Sequence, residues 1–200
     1  YAVDVAVDCE QGLHFCTVNP YDLFALEEAL RLKDRFGGRV TVEELRKRIV
    51  SLRPDTVILG GRWSRMGTEL PQRLKDTVDF LRANGTKKII LVGPPPTWKP
   101  DLKSAVAYFY FRHGTIPERT AEGLLAFEDV RKMDRHLADL SKQLKIEYVS
   151  TVNVFCDASG CLTRIGNAAG SLVAMDSDHL SDNGSEYLFK AIRPLLNVPQ

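Results

Sequence analysis

Neither sign of charge dominates this 200-residue sequence: 27 Lys and Arg face 26 Asp and Glu, for a net charge of +1. A broad nucleic-acid-binding surface needs a basic excess to neutralise phosphates, so that class of function is excluded. Long apolar runs are missing too. Stretches such as Ile89–Gly93 fall far short of the roughly 20 residues that span a bilayer, and they read as strands. No Met opens the chain and no signal peptide precedes Tyr1, the expected look of a mature product or an excised domain. Internal repeats and low-complexity linkers are absent. What remains is 44% hydrophobic and 26% charged, enough apolar content to fill a core and to exclude disorder as the main state. The length suits one domain over residues 1–200.

Cysteine is scarce, and its four copies fall into two close pairs. Cys9 and Cys16 lie in loop-like sequence, and Cys156 and Cys161 flank the turn-rich Asp157-Ala158-Ser159-Gly160. Two local disulfides in an oxidising compartment are the first reading. The spacings CxxxxxxC and CxxxxC suit zinc poorly, and no His stands at a matching distance, so no metal is expected. Four reduced cysteines are the remaining alternative.

Hydrophobic periodicity alternates strand with helix. Val3, Val5 and Val7 alternate as in a strand with one buried face. Asn19-Pro20 reads as a helix start, and that helix runs to Phe36 before Gly37-Gly38. Thr41-Val42-Glu43-Glu44 is a capping box for a helix to about Leu52. Strands follow at Thr56–Leu59, Lys88–Val92 and Ile146–Val149, with helices over about Glu69–Asn84 and Phe127–Leu144. Leu172–Met175 is expected as a further strand before a terminal helix over about Asp182–Leu196. The aromatic stretch Trp98–Phe111 reads either as an insertion packed on the core or as a lid over an acceptor surface. This alternation implies a three-layer α/β/α sandwich with a doubly wound parallel sheet. Ligands in such folds sit beyond the carboxyl ends of the strands.

Asp176-Ser177-Asp178-His179-Leu180-Ser181 lies between an apolar stretch and a helix. An acid three residues before a His can hold Nδ1 and leave Nε2 free as a general base. The bland alternative is a loop His beside a helix cap. Asp178 is a second candidate to orient the ring, but a side chain rarely reaches Nδ1 of the very next residue. His14 reads as a loop residue, His136 as part of a solvated helix face, and His113 as a possible cleft residue. The runs Arg46-Lys47-Arg48 and Lys87-Lys88 read as solvated charge. Gly93-Pro94-Pro95-Pro96 is a rigid strand end with few N–H donors, hence a poor phosphate cradle.

The ending Asp176-Ser177-Asp178-His179-Leu180-Ser181-Asp182-Asn183-Gly184 resembles the Asp-x-x-His-Leu-Ser-x-x-Gly block of the SGNH (GDSL-type) hydrolases. The closer resemblance is to SGNH domains fused to membrane acyltransferase-3 proteins, which O-acylate surface polysaccharides. Pro54-Asp55-Thr56-Val57-Ile58-Leu59-Gly60-Gly61-Arg62-Trp63 resembles that group's strand ending in Arg-Trp, and Gly93–Pro96 its strand-to-proline turn. The cysteine pairs suit it as well. The resemblance implies an SGNH or flavodoxin-like fold, His179 as general base and Asp176 as its orienter. It places Gly61, Arg62 and Trp63 at an oxyanion or substrate position, though the Asn that related hydrolases keep there is absent. Arg62 could supply donors instead, or form a surface ion pair. Trp63 could offer a sugar-stacking face, or pack in the core.

The family's nucleophile is the Ser of a Gly-Asp-Ser motif, and this sequence contains no such tripeptide. Two accounts stay open. Either the strand bearing the Ser lies ahead of Tyr1, in which case this chain should leave a gap in its sheet, or Val7-Asp8-Cys9 replaces the motif. The resemblance implies a glycan acceptor, a membrane-embedded acyltransferase domain as acyl donor, no cofactor and an extracytoplasmic location tethered to the membrane. A carbohydrate esterase and a non-catalytic glycan-binding domain are the alternatives.

Overall fold

A computed structural model describes residues 6–8, 15–19, 42–61, 63–121, 123–124, 127–166 and 171–196. The fold is mixed α/β with parallel strands, the class expected from the alternation of elements. The chain divides into two compact units, Tyr1–Val92 with His136–Tyr148, and Gly93–Arg135 with Val149–Gln200.

The first unit carries a five-stranded sheet in the order β1-β2-β3-β4-β6, from Ala6–Asp8 (β1), Phe15–Asn19 (β2), Thr56–Leu59 (β3), Lys88–Val92 (β4) and Glu147–Val149 (β6). β2 runs parallel to β3, and β3 parallel to β4 in the register Thr56↔Lys88 to Leu59↔Leu91. All four residues of β3 are buried, as are Ile89 to Val92 of β4. A strand covered on both faces needs a continuous apolar run rather than alternation, and Val57-Ile58-Leu59 and Ile89-Ile90-Leu91-Val92 supply it. Helix α1 is Val42–Leu52 and α2 is Leu70–Ala83. In α2, Leu70, Leu74, Val78 and Leu81 recur at helical spacing and are buried. Its end is fixed by Arg82, whose guanidinium donates to the carbonyls of Leu144 and Lys145 at 2.7 and 3.0 Å.

One expectation fails in this unit: Cys16 lies in strand β2 rather than in a loop. The segment pairs with β1 antiparallel and with β3 parallel, so long-range ladders decide a stretch whose local pattern is ambiguous. β2 also occupies the place beside β3, so the sheet has no gap there. The helix expected over residues 20–36, Cys9 and the Cys9–Cys16 pairing lie outside the described residues.

The second unit holds helix α3 (Leu102–His113), strand β5 (Arg119–Thr120), helix α5 (Thr151–Phe155), strands β7 (Cys156–Asp157) and β8 (Gly160–Leu162), and helix α6 (Asp182–Ile192). Helix α4, Phe127–Leu144, matches its expected range. β5, β8 and β7 form a small antiparallel sheet that the alternation pattern does not announce. The disulfide Cys156–Cys161 closes its hairpin, joining residues opposite each other in the β7–β8 register. Gly160 is required there: its φ is +118°, and a Cβ would stand 2.3 Å from the Thr120 carbonyl carbon. Arg119 binds this hairpin, donating to the Phe155 carbonyl at 2.8 Å and pairing with Asp157 at 3.1 Å.

The core of this unit gathers Trp98, Leu102, Ala105, Val106, Phe155, Leu162, Val173 and Ala174. Trp98 is only 1% exposed, whereas Tyr108, Tyr110 and Phe111 lie on the surface, Phe111 at 86%. The aromatic stretch is therefore split between core and solvent. Leu172–Met175 is not a strand. Leu172 and Ala174 make isolated bridges to Arg164 and Leu180.

Candidate active site

The segment from Leu172 to Gly184 is built from side chains that bind their own backbone. Asp176 accepts through Oδ1 from the amides of Asp178 (3.0 Å) and His179 (2.9 Å). These bonds fold residues 176–179 into a tight turn, a conformation for which Asp is suited by its short reach to nearby N–H groups. The same carboxylate then turns its Oδ2 to His179 Nδ1 at 2.7 Å.

Two further clasps fix this turn within its unit. The amides of Trp98 and Leu102 donate to the carbonyls of Ser177 (2.7 Å) and Asp176 (3.2 Å). The Met175 amide donates to the His179 carbonyl at 2.9 Å. Beyond the turn, Ser181 caps α6 by accepting from the Gly184 amide at 3.1 Å, while its hydroxyl donates to the Leu172 carbonyl. Gly184 must lack a side chain, because a Cβ there would lie 2.0 Å from the Val173 carbonyl oxygen. The His-Leu-Ser-x-x-Gly spacing therefore describes a helix start pressed on the chain that precedes the turn.

The electrostatics follow. Burial pushes the Asp176 carboxyl up. The backbone N–H groups of His179 and Asp178, and then the His179 ring, outweigh it and hold the carboxyl below its ordinary value. Asp176 is thus an anion at neutral pH and accepts from Nδ1–H, the tautomer that puts the ring's lone pair on Nε2. Nε2 has no hydrogen-bond partner among the described residues. The arrangement can take a proton at Nε2 and stabilise the resulting imidazolium through Asp176.

One ligand atom from each of Asp176, Asp178 and His179 lies within 4.8 Å of the others, near enough for a shared cation. Asp176 already spends both oxygens on N–H groups and the ring, which is the bonding of an acid–base pair.

Other residues singled out in the sequence fall elsewhere. Gly61 follows the end of β3 and is partly exposed. Arg62 lies outside the described residues. Trp63 is 4% exposed and its Nε1 donates to the Val92 carbonyl at 2.9 Å. Its ring is therefore spent on the core of the first unit, which takes the core-packing reading over the sugar-stacking face. His113 is exposed and packs on Phe109 with ring centroids 4.3 Å apart, and His136 is exposed. His14 lies outside the described residues. Sequence reasoning missed the clasps from Trp98 and Leu102, because backbone donors leave no mark on residue type.

Comparison with known proteins places these features in context. The family model described as the SGNH domain fused to AT3 domains matches residues 23–194, most of the chain. The periplasmic domain of a lipopolysaccharide acetyltransferase from Salmonella ser. Paratyphi A is similar in structure, with a TM-score of 0.74 and 23% identity. That match covers 94% of this chain and 85% of the other. A Bacteroides fragilis protein assigned as an acylhydrolase is similar with a TM-score of 0.52 and 16% identity, over 92% of this chain and 85% of its own. At these identities the likenesses establish the fold. Among curated sequences, Protein FixA of Azotobacter vinelandii is 88% identical over 25 residues, 12% of this chain. Protein FixA of Bradyrhizobium diazoefficiens is 76% identical over a stretch of the same length. This chain spans 9% of the length of those curated relatives.

Proposed function

This chain belongs to the SGNH domains fused to AT3 domains, and from that premise we propose that it transfers an acyl group, most simply acetyl, to a hydroxyl of a cell-envelope polysaccharide through an acyl-serine intermediate. The observation that carries the reading is the 2.7 Å contact between Asp176 Oδ2 and His179 Nδ1, which leaves Nε2 for the proton transfers. The Salmonella acetyltransferase domain of similar fold supports transfer as the outcome.

In the first half-reaction Nε2 takes the serine hydroxyl proton while Oγ attacks the donor carbonyl. The imidazolium returns that proton to the leaving group, and the acyl group rests on serine. In the second, Nε2 takes the proton of the acceptor hydroxyl, whose oxygen attacks the acyl carbonyl, and serine recovers the proton as it leaves. Asp176 holds the tautomer and balances the charge on the ring in both halves. With water as acceptor the same steps make an esterase. The donor in this reading is a membrane-embedded AT3 domain, and the site faces the extracytoplasmic side. No helix among the described residues is long and apolar enough to cross a membrane.

The nucleophile required is a serine in a Gly-Asp-Ser turn, and the 200 residues contain none. The test therefore uses the full protein that the gene encodes. Turnover of p-nitrophenyl acetate by His179→Ala should fall about 100-fold or more, the usual contribution of a positioned base. A soluble polysaccharide acceptor should become acetylated by the wild type alone. Unchanged turnover in His179→Ala overturns the assignment. Release of acetate with no labelled acceptor favours the esterase.

A further inference from the structure

Asp176 is not the only carboxylate beside the imidazole. Asp178 Oδ1 stands 3.6 Å from His179 Nδ1, and its side chain is 20% exposed. The distance is too long for a hydrogen bond but short for two charges partly shielded from water. A residue adjacent in sequence reaches the ring because the Asp176 turn folds the chain back. The Asp178 amide is tied to Asp176 Oδ1 at 3.0 Å, and the Ser177 hydroxyl donates to Asp178 Oδ1 at 2.9 Å. Ser177 is held in turn by the Trp98 amide through its carbonyl. Among the described residues, Asp176 and Asp178 are the charged groups paired with His179.

We infer that Asp178 is a positioning residue for the reaction proposed above, on which this inference rests: it acts through His179 and favours the imidazolium that forms when Nε2 takes a proton. The two acids divide the work. Asp176 takes the Nδ1 proton and fixes the tautomer. Asp178 adds negative charge beside the same nitrogen without competing for that proton. Its own oxygen is kept in place by Ser177, so the charge stays aimed at the ring through both proton transfers.

Asp178→Asn preserves size and an oxygen for the Ser177 hydroxyl while removing the charge. The measurement is the His179 titration followed by NMR in the full encoded protein, beside the pH profile of p-nitrophenyl acetate turnover. Turnover should fall by about threefold to tenfold, and the His179 titration should differ from that of the wild type. Asp178→Glu, which keeps the charge, should stay closer to the wild type in both. A His179 titration identical in the wild type and Asp178→Asn overturns the inference, whatever the activity does. A changed His179 titration beside full turnover by His179→Ala leaves the charge coupling intact. That result instead sinks the catalytic reading, and with it any part for Asp178 in the reaction.

Discussion

Strands β3 and β4 and the segment from Ser171 to Gly184 are held in place by opposite means. In the strands, position comes from repetition: each residue of β3 has a partner in β4, and apolar side chains fill both faces. In the segment there is no extended ladder. Two isolated bridges and the side chains of Asp176 and Ser181 do the holding, helped by two distant amides. A ladder shares its load among equivalent bonds. The turn concentrates its load on single atoms, so each is a separate point of failure. Stability is therefore invested in one region and the geometry of the candidate site in the other.

The largest effect should come from Ile90→Ala. Ile90 is fully buried in β4, and truncation there should cost about 2–5 kcal/mol. Thermal unfolding would read that loss, and the His179 resonances below the transition should stay in place. Shifted resonances would break the separation between the regions.

Gly184→Ala should be milder in stability, about 1–3 kcal/mol, because one Cβ must be accommodated against the Val173 backbone. It should nonetheless reduce turnover more than Ile90→Ala does, since the helix start and Ser181 carry the turn with them. Equal activity in the two variants would mean that the turn does not depend on the helix that follows it.

The smallest effect is one of acidity. The Asp176 carboxyl lies lower in the folded protein than its ordinary value of 3.8. Its contribution to stability is therefore fully present above that value and is lost as pH falls through the lowered one. Acidification through this window should release the turn, seen as faster hydrogen exchange at the Asp178 and His179 amides. In Asp176→Asn that pH dependence should vanish. Its persistence would assign the dependence to another group.

Legibility in the sequence follows the same division. Thr56–Leu59, Lys88–Val92 and Phe127–Leu144 appear at their expected bounds, because long periodic or apolar runs specify their elements locally. β2 and the sheet β5-β8-β7 escape such reading. Their strands are two to five residues long; β2 and β5 exist through partners distant in sequence, while β7 and β8 form a short hairpin closed by the Cys156–Cys161 disulfide. At the site, the Asp-x-x-His spacing announced the pair Asp176 and His179. Asp178 stands out there only as the less favoured orienter, because its approach depends on a turn formed by two bonds to one oxygen. Trp63 stayed open for a further reason: an aromatic side chain can serve a ligand or a core, and its burial with the bond to the Val92 carbonyl selects the core.

The clasps from Trp98 and Leu102 are made by main-chain amides, so any residue other than proline carries the same donor. The side chains at those two positions answer only to the packing around them. Substitutions there that keep the core filled therefore leave the hinge-pins of the turn in place, whatever apolar side chain does the filling.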